Sequence, residues 1–214
     1  MISKKIICFA NSRKLNGRCI AGKDIITGNW IRPVSNSKTG ELSIEQIKYK
    51  DGSLPEIFDI IEIKFKEYRP HNHQNENCLI TNLQWKKIGT LDEGLITNYI
   101  DYPNNLWDIG YMNDRVSIES ITKNRIINSL YLIKPVYLKI KKTTNIRGEV
   151  QLRALFSYKN NSYDFVITDL KIEDAYRDRE EGIYEIKNTK IYLCVSLGEE
   201  FHGCCYKLVA AVIL

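Results

Sequence analysis

Short segments of strand-forming residues, separated by turn-forming pairs, recur along this chain and constrain its fold more than any other feature. The clearest is residues 58–67, where Ile61, Ile63 and Phe65 alternate with charged residues, as in a strand with one buried face. Asn16-Gly17 is a typical turn between two such segments. Strands are accordingly predicted at residues 4–10, 17–23, 29–34, 58–67, 79–85, 131–141, 150–158, 162–168, 190–197 and 206–214.

Helical signals are few and short. A helix is predicted at residues 170–179, with Thr168 or Asp169 as its N-cap, because a side-chain oxygen there satisfies the first backbone N–H groups. Two further short helices are predicted at residues 91–99 and 118–128, in a stretch of mixed pattern. The sequence is therefore mainly β, of the β-rich α+β class.

The order of these elements indicates a duplication. Roughly three strands, a small helix and more strands occur twice, and this spacing suits small closed barrels of the oligonucleotide-binding (OB) type. The sequence thus predicts two small OB-like β-barrels packed as one compact unit with a few short helices. We assign residues 1–85 to an N-terminal barrel, 86–128 to a connecting region and 129–214 to a C-terminal barrel. The last strand is nearly all apolar and should be central in its sheet.

Composition is that of an ordinary globular protein, with 43% apolar and 27% charged residues. The first apolar run is only about five residues long, whereas about 20 are needed to cross a bilayer. No cleavage site of a secretion signal follows it. We therefore predict a soluble cytoplasmic protein whose six cysteines are reduced, with no membrane partner, cofactor or metal and with its oligomeric state left open.

Positive charge is concentrated near the N-terminus. Residues 1–50 contain ten Lys or Arg against three Asp or Glu, while the rest of the chain is close to neutral. A basic stretch on a near-neutral body is typical of one face that meets phosphates. A solvated basic surface without a partner explains the charge equally well.

The side chains of this basic stretch are candidate nucleic-acid contacts. Lys and Arg neutralise phosphates, an aromatic face stacks on an unpaired base, and small polar groups bond phosphate or base edges. A core position is the alternative for the tryptophan. The candidates are Asn11, Ser12, Arg13, Lys14, Arg18, Lys23, Trp30 and Arg32.

Residues 69–77 form a polar run with no apolar side chain apart from one proline ring. Such a run is predicted to be a loop outside the core, and loops on rigid barrels often carry function. His73, Gln74, Glu76 and Asn77 together offer acid, base and amide groups able to read the edge of a flipped base. A plain solvent loop is the alternative. Zinc is not predicted, because no second group of ligands has the required spacing.

Four short motifs occur together in order. They are residues 10–14 (ANSRK) with 17–23 (GRCIAGK), 28–35 (GNWIRPVS), 73–77 (HQNEN) and 194–198 (CVSLG) with 206–211 (YKLVAA). This set resembles the bacterial dual OB-containing domain proteins and spans essentially the whole chain. The resemblance implies two OB barrels, nucleic acid as partner, and a place in the conflict between bacteria and phages. Small anti-phage proteins include DNA glycosylases that remove modified cytosines, an activity that no motif here carries by itself.

A glycosylase needs a carboxylate near the sugar C1′ to activate water or to stabilise the positive charge that develops there. The carboxylates that lie outside clear strand alternation are Asp24, Glu76, Asp108, Asp114 and Asp169. We select Glu76, Asp108 and Asp169 as catalytic candidates. Asp169 is expected to serve as a helix cap in preference to catalysis.

Lys207 begins the final strand, where its amine would approach a phosphate or, if neutral, attack C1′. Enzyme and non-catalytic readings both remain open. The favoured hypothesis is a nucleic-acid-recognising protein in anti-phage defence that excises a modified, glucosylated cytosine from DNA. The alternatives are a non-catalytic nucleic-acid or nucleotide sensor and a protein-interaction domain that holds no nucleic acid.

Overall fold

The computed structural model describes residues 1–109 and 113–214. It is mainly β, with 49% strand and 11% helix, which confirms the predicted fold class. The chain divides into unit 1, Met1–Ile100, and unit 2, Asp101–Leu214. Each unit has its own apolar core.

Unit 1 contains six strands and two short helices. They are β1 (Ile2–Lys14), β2 (Gly17–Asp24), β3 (Trp30–Val34), α1 (Ile44–Ile47), β4 (Asp59–Tyr68), β5 (Asn77–Ile80), β6 (Lys86–Thr90) and a 3-10 helix (Glu93–Tyr99).

Five strands of unit 1 close into a barrel in the order β1-β2-β3-β5-β4, with β4 pairing back onto β1. Closure depends on the length of β1, whose first half pairs with β4 and whose second half pairs with β2. A bulge between Cys8 and Ala10 bends the strand between the two pairings. A Cβ at Gly22 would lie 2.3 Å from the Ile7 carbonyl oxygen, so β2 can approach β1 here only with glycine.

The inward face of this barrel is apolar because its strands alternate. Ile61, Ile63 and Phe65 of β4 are buried as the sequence predicted, and they contact a core that includes Trp85. Strand β3 runs parallel to β5, while the other barrel pairs are antiparallel. The loop between β4 and β5, residues 69–76, is thereby fixed at one end of β3.

Unit 2 contains eight strands and two short helices among its described residues. They are β7 (Arg115–Ser117), α2 (Ile118–Lys123), β8 (Leu130–Ile133), β9 (Leu138–Thr144), β10 (Val150–Tyr158), β11 (Asn161–Ile167), α3 (Leu170–Ala175), β12 (Gly182–Glu185), β13 (Tyr192–Phe201) and β14 (Cys204–Ile213).

The sheet of unit 2 follows the order β12-β9-β10-β11-β14-β13-β8, with β7 alongside β14. Its successive pairs repeat those of unit 1, and β11 runs parallel to β14 as β3 does to β5. Strands β8 and β9 together correspond to β1 of unit 1. Strand β8 pairs with β13 as β1 pairs with β4, and β9 pairs with β10 as β1 pairs with β2. The central position predicted for the apolar final strand is confirmed.

Several predicted element boundaries are wrong. The single strand expected at residues 131–141 is two strands, because Pro135 between them has no N–H for a ladder. The strand expected at 79–85 overlaps β5 at Leu79 and Ile80 only, and residues 81–85 connect β5 to β6. The helices expected at 118–128 and 170–179 end earlier, at Lys123 and Ala175.

Within residues 1–109 and 113–214, no helix is long and apolar enough to cross a membrane. The same residues contain no group of three or more His, Cys, Asp or Glu side chains placed to hold a metal ion.

Candidate nucleic-acid interface and carboxylate site

The β1–β2 hairpin of unit 1 carries three of the basic candidates at its tip. Arg13 lies directly opposite Arg18, and Lys14 lies opposite Gly17, so Leu15 and Asn16 form the turn. Arg13 is exposed, and Lys14 and Arg18 are half-buried. Residues directly opposite each other share one face of a sheet, so the two arginines project on the same side. Phosphate is favoured electrostatically beside such a pair.

Lys23 of β2 lies opposite Trp30 of β3, and their side chains contact each other. The Lys23 Nζ donates to the Tyr99 carbonyl at 2.8 Å and lies 5.1 Å from the centre of the Trp30 ring. Lys23 is buried, and Trp30 is half-buried with its ring edge-on to Phe9. The structure therefore places both side chains against other residues of unit 1, away from the turn at the hairpin tip.

Asn11 and Ser12 also bond within their own unit. The Asn11 Nδ2 donates to the Pro55 carbonyl at 2.7 Å, and the Ser12 hydroxyl donates to the Cys19 carbonyl at 3.4 Å. Asn11 is half-buried and Ser12 is buried. Of the eight basic-stretch candidates, Arg13 at the hairpin tip is the one that is exposed, while Lys14 and Arg18 beside it are half-buried.

The polar run at residues 69–77 is a loop, but the prediction that it lies wholly outside the core is wrong. His73, Gln74 and Asn77 are only 1%, 3% and 4% exposed. They are buried because Arg32 of β3, itself 3% exposed, brings a charge into the same place. Buried charges persist in proteins when they are paired and hydrogen-bonded.

The pairing is supplied by Glu76 and Asn77. The Arg32 Nη1 lies 2.9 Å from the Glu76 Oε1 and 3.4 Å from the Asn77 Oδ1. The Asn77 amide donates to the Gln74 Oε1 at 3.2 Å, and the Arg32 backbone N–H donates to the Glu76 carbonyl. Glu76 is thus part of a buried network that fixes the loop to β3. Its carboxylate does not face solvent, where a catalytic group would meet a substrate.

The exposed part of this loop is its outer turn. Arg69, His71 and Asn72 are exposed, and the Arg69 guanidinium donates to the Asn36 Oδ1 at 2.9 Å. His71 and Gln74 exchange backbone hydrogen bonds across the turn. The network beneath therefore presents a rigid polar turn at the surface. Arg69 and His71 were not among the sequence candidates.

A second polar cluster lies in unit 2 and joins two residues that the sequence nominated separately. The Lys207 Nζ lies 3.3 Å from the Asp108 Oδ1, although the two residues are far apart in sequence. The Tyr163 hydroxyl and the Asn161 Nδ2 donate to the other Asp108 oxygen, at 2.6 Å and 3.1 Å. The Asp108 carboxylate is thus held by three donors while its side chain stays 28% exposed.

Lys207 itself points into the core of unit 2. Its side chain is 1% exposed, and its Nζ lies 5.7 Å from the centre of the Phe165 ring. Burial lowers the pKa of Lys207, and the nearby Asp108 only partly offsets this. Burial, together with the bond to Asp108, raises the pKa of Tyr163 to about 12. Perturbed groups of this kind are frequent at functional sites, and structural ion pairs also produce them.

The chain that delivers Asp108 is strained. Trp107, the preceding residue, has φ of 55°, a left-handed value that is an outlier for a bulky side chain. It is nevertheless fixed, because it is buried, its ring lies 4.9 Å from that of Tyr131, and its indole N–H donates to the Asn128 carbonyl. Trp107 is thus a core residue of unit 2, and its position directs Asp108 toward Lys207.

Asp169 is the N-cap of α3, as expected. Its Oδ1 accepts the backbone N–H groups of Lys171 and Ile172, and its Oδ2 accepts that of Val212. Burial raises the pKa of Asp169 despite these bonds. All of its described contacts hold secondary structure together, so the structure gives it no exposed chemical role.

The two remaining carboxylates from the sequence search are ion-paired. Asp24 lies 3.1 Å from the Lys4 Nζ. Burial opposes ionisation of Asp24, yet the N–H groups of its turn and Lys4 lower its pKa overall. Asp114 is likewise buried in part, and its paired donors from Arg115 lower its pKa. Asp108 and Asp114 are almost equally exposed, at 28% and 27%, but Asp108 is held by donors from three residues and Asp114 by donors from Arg115.

Tyr163 and Asn161 are members of the Asp108 cluster that sequence reasoning missed. Tyr163 alternates with Phe165 and Ile167 in β11, so its pattern is that of a core residue. Asn161 belongs to the turn before this strand. No local signal distinguishes either side chain, because their common partner is more than 50 residues away.

A barrel with strand order β1-β2-β3-β5-β4-β1 and parallel β3 and β5 defines an OB-type protein, a class that binds oligonucleotides and oligosaccharides. The family model of the dual OB-containing domain matches residues 4–212. The chain therefore belongs to this family, and the resemblance found in the sequence is confirmed. A comparison with curated proteins finds no match. Family membership points to nucleic-acid binding and to no finer activity.

Proposed function

We propose that this protein binds DNA through the exposed hairpin tip and loop of unit 1 and excises a modified base with Asp108 as its catalytic carboxylate. The observation that carries the catalytic part is the geometry of Asp108. Its carboxylate is partly exposed and is fixed by Tyr163, Asn161 and Lys207.

The binding part follows from where the OB fold meets its ligands. OB barrels bind nucleic acid on the face of strands 2 and 3 and with the loops that join strands 1–2 and 4–5. In unit 1 these loops are the β1–β2 turn, with Arg13 and Arg18 beside it, and residues 69–76. Three of the nominated basic residues therefore lie beside the first of these loops, and the nominated polar run forms the second.

Salt dependence tests the binding part. Each phosphate contact contributes about 0.9 to the slope of log affinity against log salt on duplex DNA. We expect the double variant Arg13→Ala, Arg18→Ala to lower this slope by about 1 to 2. The matched control is Lys64→Ala, Lys66→Ala, which removes the same charge from exposed positions of β4. Equal slopes in both double variants would remove these arginines from the interface, and unchanged affinity in the first would favour a protein-interaction domain.

The chemical part requires that the bond between C1′ and the base nitrogen breaks and that water replaces the base. Positive charge builds on the sugar as the base departs, and a fixed carboxylate stabilises that charge and takes the proton of the attacking water. Asp108 has the donors that hold it in one orientation and the exposure that lets a sugar approach. Glu76 and Asp169 are instead committed to buried structural bonds.

The substrate that we propose is glucosylated cytosine in phage DNA, which would place the protein in anti-phage defence. This part rests on the association of the family with nucleic acid and with conflict between bacteria and phages. A base of this size has to leave the duplex before its C1′ is accessible, as in other base-modifying enzymes.

The decisive experiment is incubation of the purified protein with phage DNA that carries ordinary or glucosylated cytosine, followed by a count of abasic sites. We expect abasic sites only in the modified DNA and their loss in Asp108→Asn. The control is Asp178→Asn, an exposed carboxylate of the same unit. Strands that stay intact under alkali with every modified substrate would refute base excision.

A non-catalytic nucleic-acid sensor is the second candidate. It is favoured by the burial of Lys207, because a side chain that is 1% exposed is typical of a structural ion pair. It predicts salt-dependent retention of DNA with no covalent change. The same incubation therefore separates the two candidates.

A further inference from the structure

The tip of the β1–β2 hairpin carries an exposed apolar side chain. Leu15 occupies the first position of the two-residue turn, has φ of 50° and is 62% exposed. In the two-residue turns that suit a hairpin, this position has positive φ and usually holds Gly, Asn or Asp. Leucine is thus unfavourable here twice, since its backbone is strained and its side chain meets water.

The hairpin below the tip is firmly held. Arg18 and Leu42 exchange two backbone hydrogen bonds of 2.8 and 2.9 Å. A Cβ at Gly17 would lie 2.5 Å from the Leu42 carbonyl oxygen, so the chain passes closely at this point. The strained leucine therefore lies at the end of a hairpin that is fixed by these contacts. Because leucine is unfavourable in this turn, stability of the hairpin does not explain its presence.

Three cations and one carboxylate lie near Leu15, since Glu41 lies beside Gly17 and interacts electrostatically with Lys14. Arg13 and Arg18 project together on one side of the hairpin, and Lys14 directly precedes the leucine. An isolated apolar residue on a surface needs no explanation. An apolar tip flanked by cations, however, matches duplex DNA, in which stacked bases lie between two lines of phosphates. Proteins that kink duplex DNA insert Leu, Ile, Phe or Met between base steps while their basic residues hold the adjacent phosphates.

We propose that Leu15 is a wedge that inserts between two stacked bases of duplex DNA, with Arg13, Lys14 and Arg18 on the flanking phosphates. Burial of the side chain in the base step offsets the cost of unstacking, and the positive φ holds the side chain outward. The inference rests on the DNA-binding part of the proposed function. It adds a means of opening the duplex, which removal of a base from a helix requires.

The test uses the full chain and a duplex that contains the fluorescent base 2-aminopurine, whose emission rises when it is unstacked. We expect the wild-type protein to raise the emission at saturation and Leu15→Gly to lose most of this rise. Duplex affinity should fall by about tenfold, as expected for the loss of one buried leucine against the cost of unstacking. Affinity for single strands, which need no opening, should stay within about twofold.

Two controls keep the result specific. Leu83→Gly removes another exposed leucine of unit 1, 48% exposed, and should leave the emission unchanged. The thermal midpoint of Leu15→Gly should equal or exceed that of the wild type, because glycine tolerates positive φ, so a loss of function cannot be assigned to unfolding.

The outcomes are distinct. DNA bound by the wild type without a rise in emission would overturn the wedge and leave the binding function intact. An equal rise with Leu15→Gly would do the same. Absence of DNA binding in the wild type would overturn the proposed function together with this inference.

Discussion

Replacing Glu76 by glutamine should destabilise unit 1 strongly, although the change alters a single atom. Glu76 is the partner of the buried Arg32 guanidinium, and the two side chains are 7% and 4% exposed. Glutamine keeps the shape and an acceptor oxygen but removes the charge. The buried guanidinium would then lose the negative charge that lies 2.9 Å from its Nη1.

The magnitude follows from the geometry. At 2.9 Å and an effective dielectric constant of about 20, the attraction between two unit charges is about 6 kcal/mol. Much of this offsets the desolvation of both groups, and loss of one partner of a buried pair typically costs about 3–5 kcal/mol. The Asn77 Oδ1 remains 3.4 Å from Arg32 as an acceptor. We therefore expect a loss near the lower end, about 3 kcal/mol.

Urea unfolding followed by tryptophan fluorescence measures this loss. The chain has three tryptophans, and replacing Trp107 by phenylalanine leaves Trp30 and Trp85, which both belong to unit 1. Fluorescence in that background reports the unfolding of unit 1 alone. The shift in midpoint, multiplied by the urea dependence, gives the change in free energy of unfolding.

Glu67→Gln is the matched control. Glu67 is paired with Arg69 at 3.7 Å, but its side chain is 59% exposed, and an exposed pair contributes about 0–1 kcal/mol. A loss in Glu76→Gln no larger than that in Glu67→Gln would refute the structural role. Normal stability combined with lost base excision would instead restore Glu76 as a catalytic group.

Three further predictions concern unit 2 and the cysteines. Because burial lowers the pKa of Lys207, the unfolded chain binds more protons at this residue between the lowered pKa and the ordinary 10.5, so Lys207 contributes stability that rises with pH there, while the raised pKa values of Tyr163, Cys78 and Cys205 contribute the opposite slope. The pair of changes Asp108→Asn, Lys207→Met should therefore make the urea midpoint fall more steeply between pH 8 and pH 10 than in the wild type; an identical pH dependence would contradict it. Asp169→Ala should cost about 2–4 kcal/mol by urea unfolding, since it removes a cap and leaves a buried amide of β14 unbonded, and a cost below about 0.5 kcal/mol would count against it. Burial raises the pKa of Cys78 to about 12 and of Cys205 to about 11, so at pH 8 both should be alkylated more slowly than the partly exposed cysteines in mass-mapped labelling, and equal rates would disprove this.

The strands were predictable where a local pattern reports burial. Residues 58–67 alternate, and β4 buries Ile61, Ile63 and Phe65 as expected. The apolar run of β14 likewise indicated its central position. Predicted boundaries are wrong where the deciding contact is distant in sequence. At residues 79–85 no local signal shows that pairing with β3 and β4 ends β5 at Ile80, or that pairing with β4 begins β6 at Lys86.

The candidate site was predictable in its residues but not in their grouping. Glu76 was selected because it lies in a polar run, and the structure does place it in a loop. The sequence could not show that its carboxylate is buried in an ion pair with Arg32. Asp108 and Lys207 were nominated for separate reasons and meet only because β14 and the segment that precedes residue 110 converge. Whether a polar side chain faces solvent depends on a partner that is distant in sequence.

The sequence by itself determined the β-rich class, the duplicated OB order and the basic N-terminal stretch, because alternation, turns and charge are local properties of the chain. Only the tertiary structure decided which polar groups are buried. It placed Arg32 against Glu76 and Lys207 against Asp108, and it left Leu15 and its neighbouring cations outside. The physical reason is that desolvation and pairing act between groups brought together by tertiary packing, and that packing joins segments that no local pattern connects.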